Sequence, residues 1–203
     1  MSSKNLVLYN GPTSPFVRKC KATALYLNIQ LHEEIVNVYQ AEFLDKYNPL
    51  RQIPTLIAHG KVITDSDNIC LYFNQLSRSK SFINTEKYWE TMNRISLANG
   101  IMEYGLQRFV EISTQKKNHR HEFVNRCEIK INRSINWLEN NIDFNRSEIT
   151  LDQIAIACAL EYTNFRYNDD WKNNNRFLAA WLNKFNENEF MKNTHPGISF
   201  KYE

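Results

Sequence analysis

Every strand signal in this chain of 203 residues lies before residue 77, and every segment after residue 85 carries helical periodicity. That switch allows one small unit built on a sheet, followed by a unit made of helices. Residues 5–9 (Asn-Leu-Val-Leu-Tyr) read as a short buried strand. The turn Gly11-Pro12-Thr13-Ser14-Pro15 leads into a helix, with Ser14 suited to the N-cap and Pro15 to the first helical position. That helix carries Phe16, Val17, Cys20, Ala24 and Leu27 on one stripe and ends near Asn28. A second strand, Leu31 to Val38, cannot pair with the first through a hairpin, because a helix intervenes. A right-handed βαβ crossover follows.

A short helix over 41–48 stops before Pro49. Two strands, Thr55–Ala58 and Val62–Thr64, flank His59-Gly60, a hairpin signal. A helix over 66–77 places Ile69, Tyr72, Phe73 and Leu76 at helical spacing. The first 77 residues therefore read βαβ-α-ββα, a four-stranded mixed sheet with helices on its faces. Ser77-Arg78-Ser79-Lys80-Ser81 is polar and aperiodic, so 78–85 reads as a linker and 86–203 as an all-helical domain. The predicted helices there are 86–115, 119–141, 150–167, 174–185 and a short one over 187–192. Thr150-Leu151-Asp152-Gln153 matches a capping box.

Composition removes several function classes. Five glycines, at 11, 60, 100, 105 and 197, form neither a GxGxxG fingerprint nor a P-loop. A net charge of +3, with only Lys116-Lys117-Asn118-His119-Arg120-His121 as a basic stretch, gives no nucleic-acid footprint. The longest apolar run, Ile154 to Leu160, is far shorter than a membrane span, and no secretory leader follows Met1. Cys20, Cys70, Cys127 and Cys158 show neither CxxC nor zinc spacing, so no metal site is expected. They read as small buried hydrophobes in a reducing, cytoplasmic setting.

Three local signals suggest chemistry. Ser14 sits where a strand ends and a helix begins. The unpaired N–H groups and the dipole of that helix would stabilise an anionic sulfur or oxygen. Pro54, opening a strand after Gln52 and Ile53, would turn the Ile53 backbone outward to pair with an extended peptide. At Asp65-Ser66-Asp67, Ser66 is a candidate N-cap whose hydroxyl and backbone N–H suit a carboxylate, while Asp65 suits an ammonium group. Each signal taken singly also fits ordinary capping or strand initiation.

In order and spacing the three resemble the glutathione transferase superfamily. Thr13-Ser14-Pro15-Phe16-Val17-Arg18-Lys19 resembles its catalytic turn in the serine form. Asn48-Pro49-Leu50-Arg51-Gln52-Ile53-Pro54-Thr55-Leu56 resembles its cis-proline segment, and Asp65-Ser66-Asp67-Asn68-Ile69 its γ-glutamyl site. Asn99-Gly100-Ile101-Met102 and Ile154–Leu160 resemble helices of a bacterial C-terminal domain.

The resemblance implies a thioredoxin-like N-terminal domain, an all-helical C-terminal domain, a cytoplasmic homodimer and glutathione as cosubstrate. It implies detoxifying attack of the glutathione sulfur on a small hydrophobic electrophile. On it, Ser14 bonds the thiolate, with Thr13 as the alternative. Ile53 pairs with the cysteinyl unit in a geometry set by Pro54. Gln52 holds the glycine end, and Asp65 and Ser66 hold the γ-glutamyl end. The second substrate is expected between the domains, with Met102, Tyr104, Leu106, Phe109, Phe165 and Arg166 as possible lining. Trp89 and Trp137 read as core or dimer-flanking.

The chain departs from the family pattern at three places. Asp65 is one methylene shorter than the commoner Glu. Arg51-Gln52 replaces a frequent Gly-Lys pair. Gln153 stands where the family's folding cap usually has Asp. The catalytic turn has no cysteine, which argues against thiol-disulfide chemistry there. A non-catalytic binding protein and a glutathione-dependent isomerase are the rival readings.

Overall fold

The computed structural model describes residues 6–77, 82–115, 120–143, 146, 148–168 and 170–196. The N-terminal residues 1–5, residues 78–81 of the expected linker and residues 116–119 of the basic stretch lie outside them. The chain packs as two units, Met1–Phe82 with Glu189–Glu203, and Ile83–Asn188.

The first unit holds β1 (Leu6–Asn10), α1 (Pro15–Tyr26), β2 (His32–Ile35), a 3-10 helix (Glu42–Lys46), β3 (Thr55–Ala58), β4 (Lys61–Thr64) and α2 (Ser66–Ser77). Its sheet has the order β2-β1-β3-β4. β1 and β2 are parallel, joined through α1, while β3 pairs antiparallel with both β1 and β4. The βαβ-α-ββα reading is the observed order, except that 41–48 winds as a short 3-10 helix. β2 is shorter than expected and exposed throughout, as an edge strand is.

Local chemistry explains the boundaries. Ser14 caps α1, its side-chain oxygen accepting from the Val17 N–H at 3.3 Å, and Pro15 opens the helix. The helix closes in a Schellman motif. Asn28 takes the left-handed conformation (φ 55°), its N–H donates to the Leu25 carbonyl, and Ile29 N–H donates to that of Ala24. His59 (φ 50°) and Gly60 (φ 80°) are both left-handed, the requirement of a two-residue type I′ hairpin turn.

The second unit is helical: α3 (Tyr88–Gln115), α4 (His121–Asn141), α5 (Leu151–Arg166), α6 (Trp171–Asn174) and α7 (Arg176–Phe185). α5 is its central element, buried from Leu151 to Thr163 and packed with α3. The 174–185 helix of the sequence reading begins two residues later, after the separate turn α6. There the Asn175 side chain donates to the Trp171 carbonyl at 2.7 Å, and Glu139 of α4 accepts from the N–H groups of Phe177 and Leu178. The last helix, α8 (Glu189–Lys192), packs on α1 of the first unit, whereas the sequence reading extends the helical domain to residue 203. Trp89 is 76% exposed, so it is not a core residue.

The start of α5 carries a buried charge network. Gln153 accepts from the Thr150 N–H at 3.0 Å, which is the side-chain half of the expected capping box. Between them Asp152, fully buried, accepts from Arg94 Nε at 2.6 Å and Arg146 at 3.0 Å, and from the Thr150 hydroxyl. Burial pushes the Asp152 carboxyl up, but Arg146, Thr150 and Arg94 more than reverse it, and it titrates below its ordinary value. A lowered folded-state pKa adds stability above the unfolded value, near 3.9, that is lost as pH falls through the folded value. Asp152→Asn is expected to cost about 3–5 kcal/mol by stranding the arginines. It also flattens the loss of stability below about pH 4, both read from urea unfolding across pH.

Candidate functional site

The sheet register brings the three singled-out segments to one end of the sheet. Tyr9 pairs with Thr55, and Thr55 with Thr64. Adjacent strands lie about 4.8 Å apart, so this row of three spans about 10 Å. The 11–14 turn leaves the row after Tyr9, Ile53-Pro54 enters it at Thr55, and Asp65-Ser66 leaves it after Thr64. Residues as far apart in sequence as Ser14 and Ser66 thus share one end of the sheet. The turn and the proline loop are in close contact: a Cβ added at Gly11 would come within 2.5 Å of Ile53 Cδ1. Gly11 lets the two loops meet without displacing that side chain.

In the first loop, Thr13 and Ser14 are half-buried ahead of α1. The Ser14 oxygen is an acceptor towards Val17 N–H, and its own proton is not spent in that bond. A hydroxyl polarised in this way at a helix N-terminus is a good donor to an anion.

In the second loop the Ile53–Pro54 peptide is cis. Asn48, buried, ties the loop together. Its amide donates to the Gln52 carbonyl at 3.0 Å and to Thr55 Oγ1 at 3.1 Å, and its oxygen accepts from Leu50 N–H at 3.1 Å. Thr55 Oγ1 donates to the same Gln52 carbonyl at 2.7 Å. With the Gln52 carbonyl held inward, the Gln52 side chain is exposed and Ile53 half-buried. Among the described residues, none bonds the Ile53 backbone N–H or C=O. The sequence reading missed Asn48. Its signal is an Asn directly before Pro49, a residue type that bonds nearby backbone in turns. Arg51, left-handed at φ 48°, pairs with Asp45 through two nitrogens, and the pairing lowers the Asp45 carboxyl and raises the guanidinium.

The third loop corrects one expectation. Asp65, not Ser66, caps α2: its carboxylate accepts from the N–H groups of Asp67 at 2.8 Å and Asn68 at 3.2 Å. Asp65 holds a left-handed φ of 71°, which Asp tolerates better than most residues. Ser66 becomes the first residue of α2 and is buried, while the Asp65 carboxylate stays exposed.

Among the described residues, no group of three or more His, Cys, Asp or Glu is placed to hold a metal ion. No described helix is long and apolar enough to cross a membrane.

Such a fold, with a serine-capped helix, a cis-proline loop and an acidic cap gathered at one sheet edge, defines a class that comparison with known proteins identifies. A model of the glutathione S-transferase N-terminal domain matches residues 8–81. The uncharacterized GST-like protein YibF of Escherichia coli (strain K12) is 31% identical over 168 residues, which cover 78% of this chain and 82% of that protein. A glutathione transferase family member from Pseudomonas fluorescens Pf-5, solved with bound glutathione, superposes with a TM-score of 0.90 at 27% identity, over 95% of this chain and 100% of that one. The structure with bound S-(propanoic acid)-glutathione superposes with a TM-score of 0.84 at 26% identity, over 94% and 99%. The chain belongs to the glutathione S-transferase superfamily. Its first unit is the thioredoxin-like part of that fold, and its second is the helical part.

Asn48→Ala removes two donors and an acceptor from the proline loop and leaves the Gln52 carbonyl with one partner. The expected cost is about 1–3 kcal/mol in urea unfolding, with the m-value unchanged.

Proposed function

We propose that the chain is a glutathione transferase that activates the glutathione thiol as a thiolate for attack on a small hydrophobic electrophile. The observation that carries this reading is the Tyr9–Thr55–Thr64 row, which gathers the Ser14 cap, the Ile53-Pro54 loop and the Asp65 cap. Glutathione in the Pseudomonas relative supports the choice of ligand.

In this reading the Ser14 hydroxyl donates to the sulfur, and the first N–H groups of α1 add positive potential. The Ile53 N–H and C=O pair with the cysteinyl unit as a strand would, presented by Pro54. The Asp65 carboxylate takes the γ-glutamyl ammonium, and Ser66 takes the carboxylate beside it. Gln52 meets the glycine end. The conjugation is a displacement or addition in which the sulfur forms the new bond. The enzyme contributes proximity and a lowered thiol pKa. The resemblance extends the proposal to a cytoplasmic homodimer with a detoxifying role.

A second reading, a glutathione-transferase-like protein that binds without turnover, is favoured by the Arg51–Asp45 pair, which commits the cation preceding Gln52 in the chain to an internal partner.

Calorimetry with glutathione and conjugation of 1-chloro-2,4-dinitrobenzene separate the readings. Binding heat with turnover supports the transferase, and heat without turnover across a panel of electrophiles supports the second reading. No heat at millimolar glutathione sinks both. Ser14→Ala is expected to lower kcat/KM about 100-fold. It also moves the rise of rate with pH upward, towards the free thiol value near 8.5. An unchanged Ser14→Ala enzyme passes the role to Thr13, to be checked by Thr13→Ala. Asp65→Ala is expected to weaken glutathione binding about tenfold, the loss of one charge-assisted bond.

A further inference from the structure

Behind the two helix N-termini lies a group of side chains that conjugation does not use. Cys20 of α1 and Cys70 of α2 face each other with their sulfurs 3.9 Å apart, both fully buried. The two thiols lie in hydrogen-bond contact with each other, and the Cys20 sulfur lies 3.5 Å from the Ser66 carbonyl oxygen. Beside them is Lys19, whose side chain is also fully buried and is ion-paired with Asp67. A buried cation next to two thiols is unusual for a plain hydrophobic contact, because an ammonium is costly to desolvate.

The cation makes the two sulfurs unlike. Burial raises the Cys20 thiol, and the contact with Cys70 raises it further. Burial pushes Cys70 the same way, but hydrogen bonding from Cys20 and the Lys19 ammonium outweigh it, and this thiol sits below its ordinary value. The two thiols thus differ in acidity, as an attacking and a resolving thiol do.

We propose that Cys20 and Cys70 are an oxidisable pair, which hydrogen peroxide converts to an intramolecular disulfide joining α1 to α2. The Cys70 thiolate attacks one peroxide oxygen, and the O–O bond breaks. The departing hydroxide becomes water with the proton that Cys70 released on ionising, and Cys70 is left as a sulfenic acid. The Cys20 sulfur then attacks the Cys70 sulfur, the S–O bond breaks, and the oxygen leaves as a second water with the Cys20 proton. Two thiols and one peroxide give one disulfide and two waters. The sulfur pair loses two electrons and the peroxide gains them. The sulfurs close from 3.9 Å to about 2.05 Å, a movement within the reach of two helices in direct contact. Both sulfurs are fully buried, so the oxidant proposed is a small one, a peroxide close to water in size, and not a thiol or disulfide as large as glutathione.

The test uses the full, reduced chain. It is exposed to hydrogen peroxide at a dose that oxidises free cysteine completely, quenched with catalase, then denatured in iodoacetamide and mapped by mass spectrometry. The expected result is a mass lower by two hydrogens, loss of alkylation at Cys20 and Cys70 together, and one linked peptide pair. Dithiothreitol restores both thiols. Cys70→Ala leaves Cys20 alkylatable after the same dose. Full alkylation of Cys20 and Cys70 in the peroxide-treated chain overturns the proposal. Conversion of Cys70 to a sulfinic acid without the linked pair overturns it too, since it shows that Cys20 does not resolve. The readout is independent of glutathione binding, so it stands or falls apart from the proposed transferase activity.

Discussion

The antiparallel pairing of β3 with both β1 and β4 is the constraint on which the site depends. It sets Tyr9, Thr55 and Thr64 in one row and so delivers three loops to one edge. A slip of one residue would turn every side chain of β3 to the opposite face. Leu56 and Ala58, now fully buried, would then exchange places with the half-buried Ile57. Burial therefore fixes the register, and the register fixes the loops. The hairpin turn at His59-Gly60 pins β4 to β3 independently, since left-handed backbone at both positions admits only the tight connection.

Each loop is then finished by groups that bond backbone rather than ligand. Ser14 accepts from Val17 N–H, Asp65 accepts from Asp67 and Asn68, and Asn48 holds the Gln52 carbonyl. These bonds stabilise two helix starts and a loop without consuming all the capacity of the groups involved. A hydroxyl oxygen that accepts still carries its proton, and a carboxylate has acceptor positions left after two N–H groups. Capping therefore leaves Ser14 and Asp65 with bonding capacity to spare. The same bonds hold the side chains in place, which would limit the conformational entropy lost if a ligand bound there.

Much of this was legible in the sequence because it rests on short-range chemistry. Ser14-Pro15, Asn28 and His59-Gly60 announce a helix start, a helix end and a hairpin by residue type, and the structure places them so. What escaped depends on partners distant in the chain. Asp152 looks like one member of a capping box. Its burial follows only from Arg94, 58 residues earlier, and from Arg146. Lys19 lies in an amphipathic helix where a lysine normally faces water, and its burial against Asp67 depends on α2. Packing of α8 on α1 joins segments more than 160 residues apart. The exchange of Ser66 for Asp65 as cap is a shift of one position, decided by a left-handed backbone that periodicity does not encode.

The proline loop shows how a departure from the family pattern is absorbed. Where the resemblance leads one to expect a Gly-Lys pair, this chain has Arg51-Gln52. A glycine suits the first position because the backbone there is left-handed, and Arg51 adopts that conformation at φ 48°. A side chain in this region costs on the order of 1 kcal/mol. The two-nitrogen bond from Arg51 to Asp45 gives the strained residue a fixed partner on the preceding 3-10 helix, although a half-exposed pair of this kind offsets only part of the strain. The cation is thereby turned back onto the protein, and the position that follows it presents a neutral amide. A carboxylate approaching Gln52 would meet hydrogen-bond donors without a net charge. Under the proposed glutathione reading, such a site would leave the larger share of recognition to the γ-glutamyl end and the sulfur.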